Sequence, residues 1–315
     1  MPTNPIKSCA QGLVSALLCC LPIADLKGAE ASPSLNDRAW SALTEVLTND
    51  RSAAMLHAGD AFFALGKGEE VRDVFTRHWT ELSTTPRRDG AMRERATGTK
   101  NLAERAAVVA EIEYATADPS GRLRTGGFEN LCKLHYLVQY QFPDSLVALA
   151  RATVATEPVV ETVFPLWVLQ VSGGTHAAAQ LSDLLISDDL KVRLLAAYAL
   201  RWIHPSDPLI IQEVTAAADA IKTAGPDVSY LLSAALVLNP AAPQAAEWRS
   251  KLLQLLLTGE GQDRYQASQA LLSHITPDEL PQLAPLLTYP DPDARVSAAW
   301  IILHVNAKSE AARSL

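Results

Sequence analysis

The sequence has few cysteines, and their positions limit the chemistry that they can support. There are four in 315 residues, and three of them, Cys9, Cys19 and Cys20, lie near the N-terminus. If the segment before Ser32 is removed, Cys132 is the one thiol left, and no intramolecular disulfide can form. Cys132 stands among apolar residues, which predicts a buried and unreactive thiol instead of a nucleophile.

Short catalytic and cofactor-binding motifs are also missing. The sequence contains no glycine-rich phosphate loop, no HExxH, no CxxC and no GxSxG. It therefore predicts no cofactor, no metal site and no catalytic residue that a motif could identify. Acidic residues outnumber basic ones, and the net charge is −8 at pH 7. This balance argues against nucleic acid as a partner, since phosphate neutralisation requires a basic surface.

Long hydrophobic runs are absent except at the N-terminus. Lys7 precedes the apolar run GLVSALLCCLPIA, and a small-x-small site follows at Ala29 to Ala31. This pattern predicts a signal peptide over residues 1–31 and a secreted or periplasmic protein. The run is too short for a transmembrane span. Leu18 stands before Cys19 where a lipoprotein signal has a small residue, so no lipid anchor is expected. The alternative is a structural first helix in a cytoplasmic protein.

The stretch Asp188 to Ile203, DDLKVRLLAAYALRWI, has the pattern of a buried helix. Asp188 and Asp189 can cap its first turn. Apolar residues then follow the i, i+3, i+4, i+7 spacing from Val192 to Ile203. The flanks of this face are apolar as well, so the helix needs neighbours on several sides.

The same pattern returns three times toward the C-terminus. It begins again at Ser229, Asp263 and Asp293, and an amphipathic helix precedes each copy. Aligning the copies places four small residues in register, and each interval is long enough for one helical hairpin. We expect these residues to be buried where helices cross: Ala196, Ala234, Ala267 and Ala298.

The segment Leu280 to Leu303 resembles a HEAT repeat. It has a proline in the first helix at Pro285, an Asp-Pro-Asp turn at Asp291 to Asp293, and then Arg295 before the Ala298-Ala299 pair. The resemblance extends over residues 174–307. It implies an all-α fold, a right-handed α-solenoid of about seven stacked antiparallel helix pairs, with a concave surface for other molecules.

The predicted organisation has three parts. Residues 1–31 are the signal peptide, residues 32–100 are diverged helical repeats, and residues 101–315 are the HEAT-like array. Within the second part, residues 58–75 also resemble one tetratricopeptide repeat. Because SAAMLHAGDAFFALG also fits the alanine-rich inner helix of a HEAT repeat, the segment is predicted to be a diverged HEAT unit.

The segment Pro86 to Lys100, PRRDGAMRERATGTK, has a proline, two glycines and an excess of positive charge in an acidic protein. It is predicted to be an exposed basic loop. Its arginines are the candidate contacts for an acidic protein or peptide partner, and a solvated loop without function is the alternative. These candidates are Arg87, Arg88, Arg93 and Arg95.

Two functions from different classes remain open. The first is a non-catalytic, exported scaffold for protein–protein interaction. The second is an enzyme on a helical toroid, similar to the paired-helix barrels of glycoside hydrolases and polysaccharide lyases. The toroid predicts that the ends of the array meet and that two acidic groups lie about 5–9.5 Å apart in an aromatic-lined pit. A HEAT-like nucleic-acid binder is disfavoured by the charge.

If residues 1–31 are a signal peptide, the mature protein begins near Ser32 and is found outside the cytoplasm. N-terminal sequencing of the native protein checks this expectation. Recovery of Met1 or Pro2 at the N-terminus would contradict it.

Overall fold

The computed structural model describes residues 33–221 and 228–313, with side chains through residue 309. The predicted signal peptide, residues 1–31, lies outside this part. Within the described part the regular structure is all helical, which confirms that the fold is all-α. No helix in these ranges is both long and apolar enough to cross a membrane.

The helices follow one another through short connections. Two 3-10 helices, Leu184–Ile186 and Pro277–Thr288, interrupt the α-helical series. The α-helices are α1 (Leu35–Asn49), α2 (Ala53–Ala64), α3 (Gly68–Arg77), α4 (Trp79–Leu82), α5 (Arg88–Gly98), α6 (Leu102–Ala117), α7 (Arg124–Val138), α8 (Asp144–Thr156), α9 (Val159–Val171), α10 (Ala177–Asp183), α11 (Leu190–Ile203), α12 (Pro208–Asp219), α13 (Val228–Leu238), α14 (Ala245–Thr258), α15 (Gly261–Leu271) and α16 (Pro292–Arg313).

The repeated pattern in the sequence corresponds to α11, α13, α15 and α16. Asp189 caps α11 as predicted, because its side chain accepts a hydrogen bond from the Lys191 amide at 2.8 Å. The four small residues in register are all fully buried: Ala196, Ala234, Ala267 and Ala298. Cys132 is buried too, as its neighbours predicted.

One set of helices, called the inner helices from here on, contact one another in succession. They are α2, α5, α7, α9, α11, α13, α15 and α16. Each packs against an outer helix next to it in the sequence. The outer helices are α1, α3, α6, α8, α10, α12, α14 and the 3-10 helix Pro277–Thr288.

The two ends of this series meet. The last inner helix, α16, packs closely against α1 and also contacts α2. Asn306 Nδ2 donates a hydrogen bond to Asn36 Oδ1 at 2.6 Å, and Arg38 Nη2 donates to the Ala284 carbonyl at 3.3 Å. We call this packing of α16 on α1 and α2 the closing contact. An open stack of helix pairs predicts no such contact, so the inner helices form a closed circuit.

The expected loop Pro86 to Lys100 is a helix instead, and this prediction was wrong. Its central part is α5, one of the inner helices. The two glycines that suggested a loop are sites of close packing. A Cβ at Gly98 would lie 2.2 Å from the Gly68 carbonyl oxygen, and a Cβ at Gly90 would lie 2.7 Å from Leu56 Cδ1. Tertiary packing thus overrides the local tendency of glycine to end helices.

Enlarging a buried alanine tests the helix register. Ala298→Leu adds volume to a fully buried site on α16, so we expect the free energy of unfolding to fall by about 1–3 kcal/mol. Urea denaturation measures the change. Ala155→Leu on the exposed side of α8 is the matched control and should change stability little. Equal effects of the two substitutions would contradict the packing described above.

Candidate functional site

A cavity of about 410 Å³ lies among seven of the inner helices, α2, α5, α7, α9, α11, α13 and α15. It opens at their N-terminal halves, since the residues that line it come from the first turns and the middle of each helix. Its lining is rich in charged, amide and aromatic side chains. These are His57, Asp60, Arg87, Asp89, Arg93, Glu129, Asn130, Lys133, Phe164, Lys191, Tyr198, Tyr230, Gln262, Tyr265 and Gln266.

Two acidic groups share one buried arginine in this cavity. Arg93 on α5 is 3% exposed, and its Nη2 donates to Asp60 Oδ1 on α2 at 2.8 Å. Its Nε donates to Glu94 Oε1 at 2.9 Å, and Glu94 is 1% exposed. Gly59 makes room for Glu94, because a Cβ there would lie 2.7 Å from Glu94 Oε2. The cluster therefore requires Gly59 on α2 and the adjacent Arg93 and Glu94 on α5.

The two carboxyl groups respond to this environment in opposite ways. Burial raises the pKa of Glu94 to about 8, in spite of the nearby Arg93. Burial also acts to raise the pKa of Asp60. There the charges of Arg93, Lys133 and His57 outweigh it and hold the pKa below its ordinary value. Near neutral pH, Glu94 therefore keeps its proton while Asp60 is ionised.

A second ion pair belongs to the same cavity lining. Lys133 Nζ lies 2.8 Å from Glu129 Oε1, one turn earlier on α7. The Tyr198 hydroxyl on α11 donates to the same oxygen at 3.1 Å. Burial acts to raise the pKa of Glu129, but Lys133 outweighs it and the pKa is lowered. Glu129 is therefore a second ionised carboxylate in the cavity.

Aromatic groups complete the wall near Asp60. The Tyr265 hydroxyl donates to Asp60 Oδ2 at 2.9 Å, and its ring stacks on the His57 ring with centroids 3.5 Å apart. His57 Nδ1 lies 2.6 Å from Asp293 Oδ1 at the start of α16. The closing contact therefore helps to fix the orientation of His57 and, through stacking, of Tyr265.

A third carboxyl group in the lining holds its proton more readily. Asp89 Oδ1 accepts from Arg88 Nη1 at 2.9 Å, but burial outweighs the arginine and raises the pKa of Asp89. The cavity thus combines Asp89, whose pKa is raised, with Asp60 and Glu129, whose pKa values are lowered. Carboxyl groups whose pKa values are pushed apart are the usual pair for general acid–base chemistry.

The four arginines predicted as partner contacts do not form one exposed surface. Arg93 is buried in the cavity wall, and Arg88 pairs with Asp89. The Arg95 guanidinium lies 4.8 Å from the Trp79 ring centroid. Arg87 is half-buried and lines the cavity. The prediction of an exposed basic loop was therefore wrong, although two of its residues, Arg87 and Arg93, belong to the cavity.

Most residues of the cavity were not recognised in the sequence. Asp60 stands in AAMLHAGDAFFA and Lys133 in FENLCKLHYL, each a charge within an apolar helix. Such charges are a usable signal, because a charged side chain on a buried helix face requires a partner. The signal could not show that their helices line one cavity. In the ranges that the structure describes, no three His, Cys, Asp or Glu side chains are arranged to hold a metal ion.

Comparison with known proteins gives no relative: no family model and no curated protein matches this sequence. The HEAT resemblance therefore stays a prediction that rests on the repeated residues alone.

The neutral state of Glu94 makes stability depend on pH. Above pH 4.5 the unfolded chain releases a proton that folded Glu94 retains up to about pH 8. The contribution of Glu94 to the free energy of unfolding therefore falls as pH rises through this window and levels off above it. Glu94→Gln imitates the protonated form and should remove this fall.

Urea denaturation of both proteins from pH 5 to pH 9 measures the difference in stability. We expect similar stability near pH 5, and a growing advantage of Glu94→Gln as pH approaches 8. A difference that stays constant with pH would mean that Glu94 is already ionised in the folded protein.

Proposed function

We propose that the described residues 34–221 and 228–313 form a closed ring of helix pairs and that the protein is an enzyme acting on a carbohydrate in the central cavity. The observation that carries the proposal is the closing contact, in which α16 packs on α1 and α2. A ring turns the inner faces of its helices toward one cavity, whereas an open solenoid presents them as a groove. The repeating units can still be HEAT-like, with the ring as their arrangement.

The lining of the cavity supports a carbohydrate as the substrate class. Sugar hydroxyl groups are hydrogen-bond donors and acceptors, and Asn130, Gln262 and the carboxylates offer both kinds of partner. The C–H faces of a sugar ring suit aromatic side chains, and Tyr198, Tyr230 and Tyr265 line the same space. A volume of about 410 Å³ is in the range of small-ligand pockets.

The opposite directions of the pKa shifts of the carboxyl groups support hydrolysis of a glycosidic bond. In the proposed reaction, Asp89 donates a proton to the leaving glycosidic oxygen as the bond to the anomeric carbon breaks. Asp60 or Glu129 takes a proton from the water that attacks this carbon. These roles follow the raised pKa of Asp89 and the lowered pKa of the other two.

The second candidate is a non-catalytic scaffold for protein–protein interaction, and one observation favours it. Large apolar side chains are exposed at neighbouring points of the outer layer, Ile186 in the first 3-10 helix and Leu209 on α12. Exposed apolar residues of this kind can belong to a contact surface. Export through the predicted signal peptide is compatible with either function and remains part of the proposal.

Turnover of polysaccharides tests the enzymatic proposal. The protein is incubated with a panel of neutral and acidic polysaccharides, and new reducing ends are measured. We expect cleavage of at least one member. Asp89→Asn should lower kcat about 100-fold to 10,000-fold by removing the proton donor. Glu129→Gln should have an effect of the same order.

Glu213→Gln on the exposed face of α12 is the matched control and should leave turnover unchanged. Melting temperatures of all variants separate loss of chemistry from loss of fold. No cleavage of any polysaccharide by the wild type, or full activity of Asp89→Asn, would overturn the enzymatic proposal in favour of the scaffold.

A further inference from the structure

Two side chains that line the cavity stand one turn apart on α2, His57 and Asp60. Residues three apart on an α-helix lie on the same face, with about 5–6 Å between their Cβ atoms. Tyr265 of α15 contacts both of them. Its ring stacks on the His57 ring with centroids 3.5 Å apart, and its hydroxyl group donates to Asp60 Oδ2 at 2.9 Å. One tyrosine thus holds the imidazole and the carboxylate beside each other.

The His57 ring is oriented through one of its nitrogens. Nδ1 lies 2.6 Å from Oδ1 of Asp293 on α16, a helix whose described residues are outside the cavity lining. An ionised carboxylate only accepts hydrogen bonds, so Nδ1 carries the proton and Nε2 of the neutral ring has a free lone pair. Within the described ranges no group donates to Nε2. His57 therefore offers a hydrogen-bond acceptor to the cavity.

Asp60 has acceptor sites left as well. Its Oδ1 accepts from Arg93 Nη2, and its Oδ2 accepts from the Tyr265 hydroxyl group. A carboxylate has about four lone-pair sites, so each oxygen keeps one. The Asp60 side chain is 18% exposed, against 3% for Arg93, so a small molecule in the cavity can reach the carboxylate. Asp60 and His57 are thus two acceptors side by side.

Glu129, the other candidate base, has different neighbours. Lys133 Nζ and the Tyr198 hydroxyl group both lie at hydrogen-bond distance from its Oε1. An ammonium group has no acceptor atom. A water molecule beside Glu129 meets the carboxylate and a group that can only donate, whereas a water molecule beside Asp60 meets a second acceptor in His57. The surroundings of Asp60 are therefore the better site for a water that must be held by both of its protons.

We propose that Asp60 is the base of the proposed hydrolysis and that His57 positions the attacking water, which donates one hydrogen bond to Asp60 and the other to His57 Nε2. The inference rests on the proposed carbohydrate function and decides between the two carboxylates that this function leaves open. With both protons of the water directed to the protein, a lone pair of its oxygen is left to attack the anomeric carbon. Asp293 acts as a positioning residue, because it fixes the tautomer of His57.

The reaction forms one bond and breaks one bond at the anomeric carbon. The water oxygen bonds to this carbon while its bond to the glycosidic oxygen breaks. One proton of the water passes to Asp60, and the proton of Asp89 passes to the leaving oxygen. The proton on Asp60 then returns to Asp89 through solvent, which restores both groups. His57 keeps its proton on Nδ1 throughout.

Nitrogen NMR of the full chain tests the state of His57 without a substrate. Protein labelled with 15N in its histidines gives separate signals for Nδ1 and Nε2, and His57→Phe identifies the signals of this residue. We expect Nδ1 to carry the proton in the wild type, and Asp293→Asn to shift the ring toward the Nε2 tautomer. A wild-type ring that is protonated at Nε2 near neutral pH would overturn the proposal.

Turnover of a polysaccharide that the wild type cleaves measures the role of His57. His57→Phe keeps an aromatic ring against Tyr265 but removes the acceptor. We expect kcat to fall about 100-fold because the water is no longer held in place, while KM stays nearly unchanged. His57→Gln offers an acceptor again and should recover a large part of this loss.

Azide tests the role of Asp60, because azide attacks carbon without giving up a proton. Asp60→Asn should lower kcat about 100-fold to 10,000-fold in water. Added azide should restore turnover of this variant and yield a glycosyl azide. Asp89→Asn should show no such recovery, since its leaving oxygen still lacks a proton donor.

His135→Phe is the matched control. Nδ1 of His135 also lies near an acceptor, the Tyr140 carbonyl at 2.8 Å, but this ring is outside the cavity lining. The substitution should leave kcat and KM unchanged, and melting temperatures of all variants separate loss of chemistry from loss of fold.

Full activity of His57→Phe, or azide rescue of Glu129→Gln in place of Asp60→Asn, would overturn the assignment and leave the carbohydrate function intact. If the wild type cleaves no polysaccharide, the proposed function fails and this inference fails with it.

Discussion

The closing contact is the interaction on which the rest of the structure depends. In an open row of helix pairs, each pair buries the faces that it shares with its neighbours. The inner faces surround a common interior only when the last helix also packs on the first ones. Here α16 does so, and the His57–Asp293 pair at 2.6 Å links the cavity to that contact. The hydrogen bond of Tyr265 to Asp60 and the stacking of His57 on Tyr265 join α2 to α15, so these contacts depend on the closure.

The buried charges fit a binding site better than a stabilising core. Burying an ion pair costs desolvation that the attraction between the partners repays only in part. Arg93 and Glu94 are buried and Asp60 is partly buried, and Glu94 keeps its proton, which reduces the charge. A core built only for stability would place apolar residues at these positions. In the proposed function, Asp60 and Arg93 belong to a fixed set of polar groups that contact the ligand, and Glu94 holds Arg93 in place.

Sequence reasoning was sufficient for the helices and insufficient for the cavity. The cap at Asp189 and the register of Ala196, Ala234, Ala267 and Ala298 are local or periodic signals, and the structure agrees with them. The α5 helix was missed because Gly90 and Gly98 look like helix breakers until their close neighbours are known. Asp60 and Tyr265 meet only because the series closes, and no periodicity in one sequence reports that closure.

The closing contact also affects how the chain folds while it is being synthesised. The helix α1 leaves the ribosome well before its principal partner α16, because most of the described chain lies between them. Until then the apolar face of α1, with Leu43 and Val46, has no α16 to cover it. Contacts between distant parts of a chain form slowly, and until they form, the apolar surfaces that they bury stay exposed and prone to aggregation. The apolar face of α1 therefore depends on other protection from aggregation until α16 has been synthesised.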